Sequence, residues 1–385
     1  ALVHKPNDAT VALREGIFDY ARKRLEYDPA PLDAPQTFEF LSQHAGPTVT
    51  EEGFGGLQSL KLFENVLAPA TISTDHPGYL SFIPCAPTEA AKLFDLIVSA
   101  SAIYGGSWME GAGAVYAENE VLAWLAKEAG LPSSAGGVFV QGGTLGNLSA
   151  LVAARHKAAH ELKAAGKPRP ETWKFVCSAE AHSSLKAAAA VMDVEIIKAE
   201  VGEDGRLRGP AVQAALEAAG EGVFAIVATG GTTNFGIVDR LDEIGKIAND
   251  NQIWFHVDGA YGLAGILAVE SKPLFAGLER ADSFIVDPHK WLFAPFDACA
   301  LIYREPENGR QAHTQHGEYL DTLTESGDWN PSDYAYNLTR RPRGLPLWFS
   351  LATHGVKAYR EAVSHNVLLA REIADEIKHR PGFEL

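Results

Sequence analysis

Asp287-Pro288-His289-Lys290-Trp291 closes an apolar run, Ser283-Phe284-Ile285-Val286, whose composition is that of a buried strand. An ammonium buried without a partner is costly, so a lysine at the end of a core strand is solvated, paired or chemically used. A second apolar run, Ile253-Trp254-Phe255, leads into His256-Val257-Asp258-Gly259-Ala260-Tyr261. A strand-end aspartate followed by a strand-end lysine is the arrangement that pyridoxal phosphate chemistry requires. The lysine forms an imine with the cofactor's aldehyde, and the aspartate holds a proton on the pyridine nitrogen. Taken singly, each residue has a plainer reading: Lys290 as a surface lysine, Asp258 as a turn residue before glycine.

Three further clusters fall at comparable places. His182, in Ala179-Glu180-Ala181-His182-Ser183-Ser184, follows the apolar run Lys174–Cys177. It could stack on a cofactor ring, or it could simply open a helix capped by Ser183 or Ser184. Gly142-Gly143-Thr144-Leu145-Gly146-Asn147 precedes a long helical stretch. Glycines admit an anion to the backbone, and a helix N-terminus favours phosphate. The run is neither a Walker A loop nor a G-x-G-x-x-G dinucleotide loop. His256 and Asp258 point to one face of a strand and could form an H-x-D metal pair. No further ligands at suggestive spacing accompany them, so no metal is expected.

The elements that must position these residues are legible as a rhythm. Val138–Val140, Lys174–Cys177, Val194–Ile197, Val223–Val227, Ile253–Val257, Phe284–Val286 and Ala300–Tyr303 are strand candidates. Between them Leu148–Ala165, Ser184–Val191, Pro210–Ala219 and Leu241–Asp250 carry helical patterns. Such alternation predicts an α/β fold with a mostly parallel sheet covered on both faces, and ligands bind beyond the carboxyl ends of its strands. Upstream, Val11–Tyr27 is helical until Asp28-Pro29, and Glu118–Ala129 reads as an amphipathic helix ending at Gly130. Residues 304–343 lack periodicity and read as a long loop, either functional or disordered. A helix resumes at Pro346 and runs to about Arg380.

The chain has 385 residues and a formal net charge of −16, which argues against nucleic acid and anionic membrane as partners. Three dispersed cysteines, Cys85, Cys177 and Cys299, suggest no disulfide framework and a reducing compartment. With no leader-like or membrane-length apolar run, the expected location is the cytoplasm.

Taken in order, these motifs resemble the group II pyridoxal phosphate-dependent decarboxylases, the family of aromatic-L-amino-acid, glutamate and histidine decarboxylases. The likeness runs from His76-Pro77 through Ser107-Trp108, Ala181-His182-Ser183-Ser184, Gly231-Thr232-Thr233, His256–Tyr261, Pro288–Leu292 and Arg340-Arg341-Pro342-Arg343 to Leu347-Trp348-Phe349. The resemblance implies a fold type I enzyme that releases carbon dioxide from an L-amino acid. Lys290 would carry the cofactor and Asp258 pair with its ring nitrogen. Ala260 would lie against one ring face and His182 against the other. Gly143, Thr144, Leu145, Asp287 and His289 would hold the phosphate, with Thr233 at the ring's polar edge. Tyr319, an ordinary loop tyrosine on its own, would protonate the substrate carbon.

The resemblance also implies a homodimer with active sites at the interface. Residues 1–84 would be a helical segment packing on the partner, 85–345 the cofactor domain, and 346–385 the beginning of a truncated small domain. Tyr79, Phe82, Ile83, Pro84, Tyr104 and Trp108 could form an aromatic substrate mouth, which favours tyrosine, tryptophan or phenylalanine. An acidic substrate such as glutamate, an oxidative aldehyde synthase on the same fold, and a silent cofactor-binding protein are the alternatives. The chain departs from the family pattern at three positions. Asp287 stands where many relatives carry asparagine, Gly106 where aromatic decarboxylases carry a bulky aromatic, and Cys85 where they carry threonine.

Overall fold

The computed structural model describes residues 4–315 and 327–385, and the chain divides into two compact units, Ala1–Glu89 and Ala90–Leu385.

The first unit contains α1 (Asp8–Leu25), α2 (Phe38–Ala45) and α3 (Gly56–Leu62), the last continuing as a π turn over Phe63–Leu67. Asn7 caps α1 through a reciprocal capping box with Thr10. Helices α1 and α3 pack closely, since a Cβ on Gly56 would meet Leu13 Cδ2 at 2.4 Å. None of the three helices buries a residue fully. Phe38, Val49, Leu80 and Phe82 are all at least four-fifths exposed, at 80, 97, 90 and 89 %.

The second unit opens with α4 (Glu89–Ala100), which no sequence pattern marks, followed by α5 (Trp108–Glu128). Helix α5 starts ten residues ahead of the expected Glu118, because the non-helical Gly111 interrupts its periodicity. The described residues form one seven-stranded sheet of β1 (Gly136–Val140), β2 (Lys174–Ser178), β3 (Glu195–Ala199), β4 (Val223–Thr229), β5 (Trp254–Asp258), β6 (Ser283–Val286) and β7 (Cys299–Tyr303). Its order is β1-β7-β6-β5-β4-β2-β3, with β7 running antiparallel to both neighbours. All seven expected strands are present.

Alternate strand residues face two separate apolar layers. Val138, Val140, Phe175, Cys177 and Val227 pack with α6 (Gly143–Ala164) and α7 (Ser183–Met192). Phe139, Val176, Ile226, Phe255 and Val257 pack with α5, α8 (Gly209–Ala219), α9 (Leu241–Asp250) and, beyond the one-turn α10 (Pro288–Trp291) and α11 (Pro306–His313), α12 (Leu345–Lys378). Helix α12 kinks at Gly355, whose φ is 78°. Helix α11 falls inside the stretch read as irregular. Its sequence, Pro-Glu-Asn-Gly-Arg-Gln-Ala-His, is polar on nearly every side and offers no apolar stripe to detect. Among the described residues no helix is long and apolar enough to cross a membrane.

A buried ion pair fastens the segment before α12. Arg340 and Glu118 are 3.1 and 2.8 Å apart through two hydrogen bonds, and both are almost fully enclosed. Arg340 also donates to Phe139 O at 3.0 Å and to Gly105 O, while Glu118 Oε1 accepts from Gly344 N at 2.7 Å.

Candidate active site

At the carboxyl end of β6 the chain turns through Asp287 into α10, with proline in the first helical position, where a missing N–H costs nothing. This turn aims Lys290 back towards the strand end. Its Nζ lies 3.2 Å from Asp287 Oδ2, and the Asp287 side chain is only 2 % exposed. The other oxygen, Asp287 Oδ1, is buried without a hydrogen-bond partner. His289 Nε2 is 3.8 Å from Asp287 Oδ2, and its Nδ1 lies 2.7 Å from Ala298 O and 3.2 Å from Ala298 N.

Gly143 is where the strand-end loops meet. A Cβ there would lie 3.3 Å from each of Ala260 Cβ, Asp287 Oδ2 and Ile285 Cδ1. Gly143 opens the 22-residue helix α6, whose cap, Gly142, has no side chain to offer. Leu145 N and Gly146 N donate to Gly142 O, whereas no side chain caps the turn that contains Gly143 and Thr144. An uncapped helix N-terminus facing open space could hold a phosphate.

Asp258 ends β5, in register with Thr229 of β4 and Ile285 of β6. It is 5 % exposed. Its Oδ1 accepts from Ala260 N at 3.2 Å and its Oδ2 from Asn147 Nδ2 at 2.8 Å. Asn147 lies one turn along α6 from Gly143, on the same helix face. In the sequence Asn147 stands inside the glycine-rich run with no local sign of a role. Only its spacing from Gly143 could have flagged it.

His182 is itself the cap of α7. Its Nδ1 accepts from Ser184 N at 3.2 Å and lies 2.9 Å from Ser184 Oγ. Ser184 Oγ in turn accepts from Asn147 Nδ2 at 3.0 Å. A continuous polar path therefore links the exposed His182 ring to buried Asp258. His256, considered above as a metal ligand, has both ring nitrogens engaged, with Ser283 Oγ at 2.8 Å and Asn147 Oδ1 at 2.9 Å.

Thr233 is exposed in the loop after β4. The far end of that loop is pinned by Asp239, which accepts from Leu207 N at 2.8 Å and Thr229 N at 2.7 Å. Burial pushes the Asp239 carboxyl up to about 6, against the pull of those two donors. Tyr261 stacks on Trp291 with ring centroids 5.5 Å apart. Tyr319 lies outside the described residues.

The expected substrate mouth is divided between the two units. Phe82, Ile83 and Pro84 belong to the first, with Phe82 and Ile83 at φ 60° and 52° in the left-handed region. Tyr104 and Trp108 belong to the second. Tyr104 Oη donates to Leu338 O at 3.1 Å, and Trp108 N donates to Asn330 Oδ1 at 2.9 Å. A Cβ on Gly106 would fall 2.2 Å from Tyr104 Oη and 2.4 Å from its Cζ. The Tyr104 phenol thus fills the space into which a side chain at position 106 would project.

The chemistry of this donor set suits pyridoxal phosphate: an uncapped helix end for its phosphate, a buried carboxylate for its ring nitrogen, and a lysine for its aldehyde. Comparison with known proteins agrees. The family model described as the pyridoxal-dependent decarboxylase conserved domain matches residues 57–385. The aromatic-L-amino-acid decarboxylase of Bacillus atrophaeus is 33 % identical over 352 residues, covering 89 % of this chain and 72 % of that protein. The L-2,4-diaminobutyrate decarboxylase of Acinetobacter baumannii is 29 % identical over 357 residues, covering 87 % and 70 %. In fold, the chain superposes on Oryza sativa TDC, solved with PLP and tryptamine, with a TM-score of 0.88 at 24 % identity, covering 98 % of this chain and 81 % of that one.

Proposed function

The chain belongs to the pyridoxal-dependent decarboxylase family and is a pyridoxal phosphate-dependent amino-acid carboxy-lyase, and from that premise we propose that it decarboxylates an aromatic L-amino acid to its amine. Bound pyridoxal phosphate supplies the sink for the electrons of a broken Cα–carboxylate bond. The protein supplies attachment, orientation and proton placement.

Lys290 is the residue that carries the cofactor, and Asp287 beside it holds the ammonium until then. Asp258 holds the proton on the ring nitrogen. The first turn of α6, from Gly143 through Thr144 and Leu145, takes the phosphate, with Asp287 and His289 beside it. Ala260 would bound one face of the ring, His182 would cover the other, and Thr233 would support its polar edge. Tyr319 donates a proton to the substrate carbon; an ordinary tyrosine, with a pKa of about 10, is protonated at neutral pH. The observation that supports this assignment above the others is the convergence of Ala260 and Asp287 on the backbone of Gly143. Exposed Phe38, Val49, Leu80 and Phe82 support a homodimer in which a second copy covers the N-terminal segment.

The aromatic substrate is supported by the 33 % identity to an aromatic decarboxylase and by Tyr104 and Trp108. The diaminobutyrate decarboxylase at 29 % identity supports a second reading, a cationic diamino acid. Carbon dioxide and amine release from the cofactor-loaded protein should be measured across L-tyrosine, L-tryptophan, L-phenylalanine, L-2,4-diaminobutyrate and L-glutamate. Fastest release from an aromatic member is expected; a clear preference for diaminobutyrate or glutamate overturns the substrate assignment. In the same assay Lys290→Ala should abolish turnover while the fold is kept, and retained turnover would remove Lys290 from the mechanism.

A further inference from the structure

Beneath Asp258 lies a chain of hydrogen bonds that runs through the buried side chains of Asn147, His256, Ser283 and Trp254. Its directions follow from the chemistry of the groups. Asn147 Oδ1 can only accept, so His256 Nε2, 2.9 Å away, carries a proton. Complete burial holds this imidazole neutral, pushing its pKa down despite the nearby Asp258 carboxylate. A neutral ring protonated at Nε2 has a bare Nδ1, which accepts from the Ser283 hydroxyl at 2.8 Å. Ser283 Oγ in turn accepts from Trp254 Nε1 at 2.8 Å. Every donor from Trp254 through Ser283, His256 and Asn147 therefore points towards Asp258.

The orientation of the Asn147 amide is thereby determined. Its two N–H groups are committed to Asp258 Oδ2 at 2.8 Å and Ser184 Oγ at 3.0 Å. A flipped amide would turn its oxygen on the carboxylate and its nitrogen on the His256 N–H, losing both bonds and setting like partial charges together.

We infer that Asn147, held in one orientation by His256, is a positioning residue that keeps Asp258 aimed at the cofactor's ring nitrogen. The inference rests on the assignment of Asp258 to that nitrogen. The hydrogen bonds of the chain end on Asp258 and Ser184 rather than on Lys290 or Asp287, so its loss should be felt chiefly by a ligand that presents the ring nitrogen.

Two probes distinguish these cases: pyridoxal phosphate, and its deaza analogue, in which carbon replaces the ring nitrogen. Binding of each to protein stripped of cofactor would be measured at equilibrium. Asn147→Leu is expected to weaken binding of pyridoxal phosphate about tenfold or more, as for loss of a hydrogen bond to a charged group, and to leave the analogue's affinity unchanged. His256→Phe should show the same discrimination, and carries the test should Asn147→Leu not fold. His256→Gln, which still offers an N–H to Asn147 Oδ1, should restore parental binding. Equal losses for both probes would make the chain merely structural and overturn the inference. Asp258→Asn is the reference. If it fails to discriminate between the probes, the assignment of Asp258 falls. If it discriminates and the Asn147 and His256 variants do not, the inference alone falls.

Discussion

Glu118→Leu is the substitution whose cost the structure specifies most fully. The Arg340 guanidinium makes two hydrogen bonds to the Glu118 carboxylate, at 2.8 and 3.1 Å, and two to backbone carbonyls. Without Glu118 the positive charge stays buried with only those carbonyls, and Gly344 N loses its acceptor. Stranding one member of a buried ion pair costs about 3–5 kcal/mol, and an orphaned N–H adds about 1 kcal/mol. The expected destabilisation is therefore about 4–6 kcal/mol. Replacing both charges, as in Glu118→Leu with Arg340→Met, should cost far less than the sum of the two single changes, because no charge is then left unpaired. The consequence reaches the site. Gly105 N donates to Arg340 O at 3.1 Å and Tyr104 Oη to Leu338 O, so loosening this segment should raise KM more than it lowers kcat. Urea unfolding of the parent, the two single variants and the double variant, with steady-state kinetics on each, measures both effects. A single-variant loss below about 1 kcal/mol, or additive losses in the double variant, would refute the reasoning.

Gly106→Ala should cost about 1–3 kcal/mol, because its Cβ collides with the Tyr104 phenol, and should raise KM; made in a Tyr104→Ala chain, where the clash is gone, the same change should shift the unfolding midpoint far less. Stability should also respond to acid through His256. Neutral in the fold down to about 4 and titrating near 6.5 when unfolded, it makes the unfolded chain bind more protons between those values, so its contribution is full above 6.5 and is lost as pH falls to about 4, a change on the order of 3 kcal/mol. Asp239, raised from 3.8 to about 6, acts in the opposite sense, its contribution being full below 3.8 and lost as pH rises to about 6. His256→Gln should therefore lose less stability than the parent between pH 7 and pH 5; urea unfolding at those two values checks it, and equal losses would contradict it.

How much of this was legible in the chain depends on how local each physical cause is. The strands could be read because burial on both faces makes short continuous apolar runs, and Phe284–Val286 or Val223–Val227 admit no other use. Lys290, Asp258, His182 and Gly143 could be read because each breaks a local rule: an ammonium, a carboxylate or a bare glycine where an apolar strand ends. Helix α11 and the first turns of α5 could not, since neither presents an apolar stripe. The same holds for the side chains beneath Asp258. Asn147 lies 111 positions from Asp258 and 109 from His256, and nothing in its own neighbourhood marks it. Likewise the Tyr104 ring accounts for Gly106 only once the turn between them has brought the two together. The reacting groups announce themselves because their chemistry conflicts with their surroundings. The side chains that surround them remove such conflicts, and a satisfied polar side chain leaves no local trace until the fold shows what it satisfies.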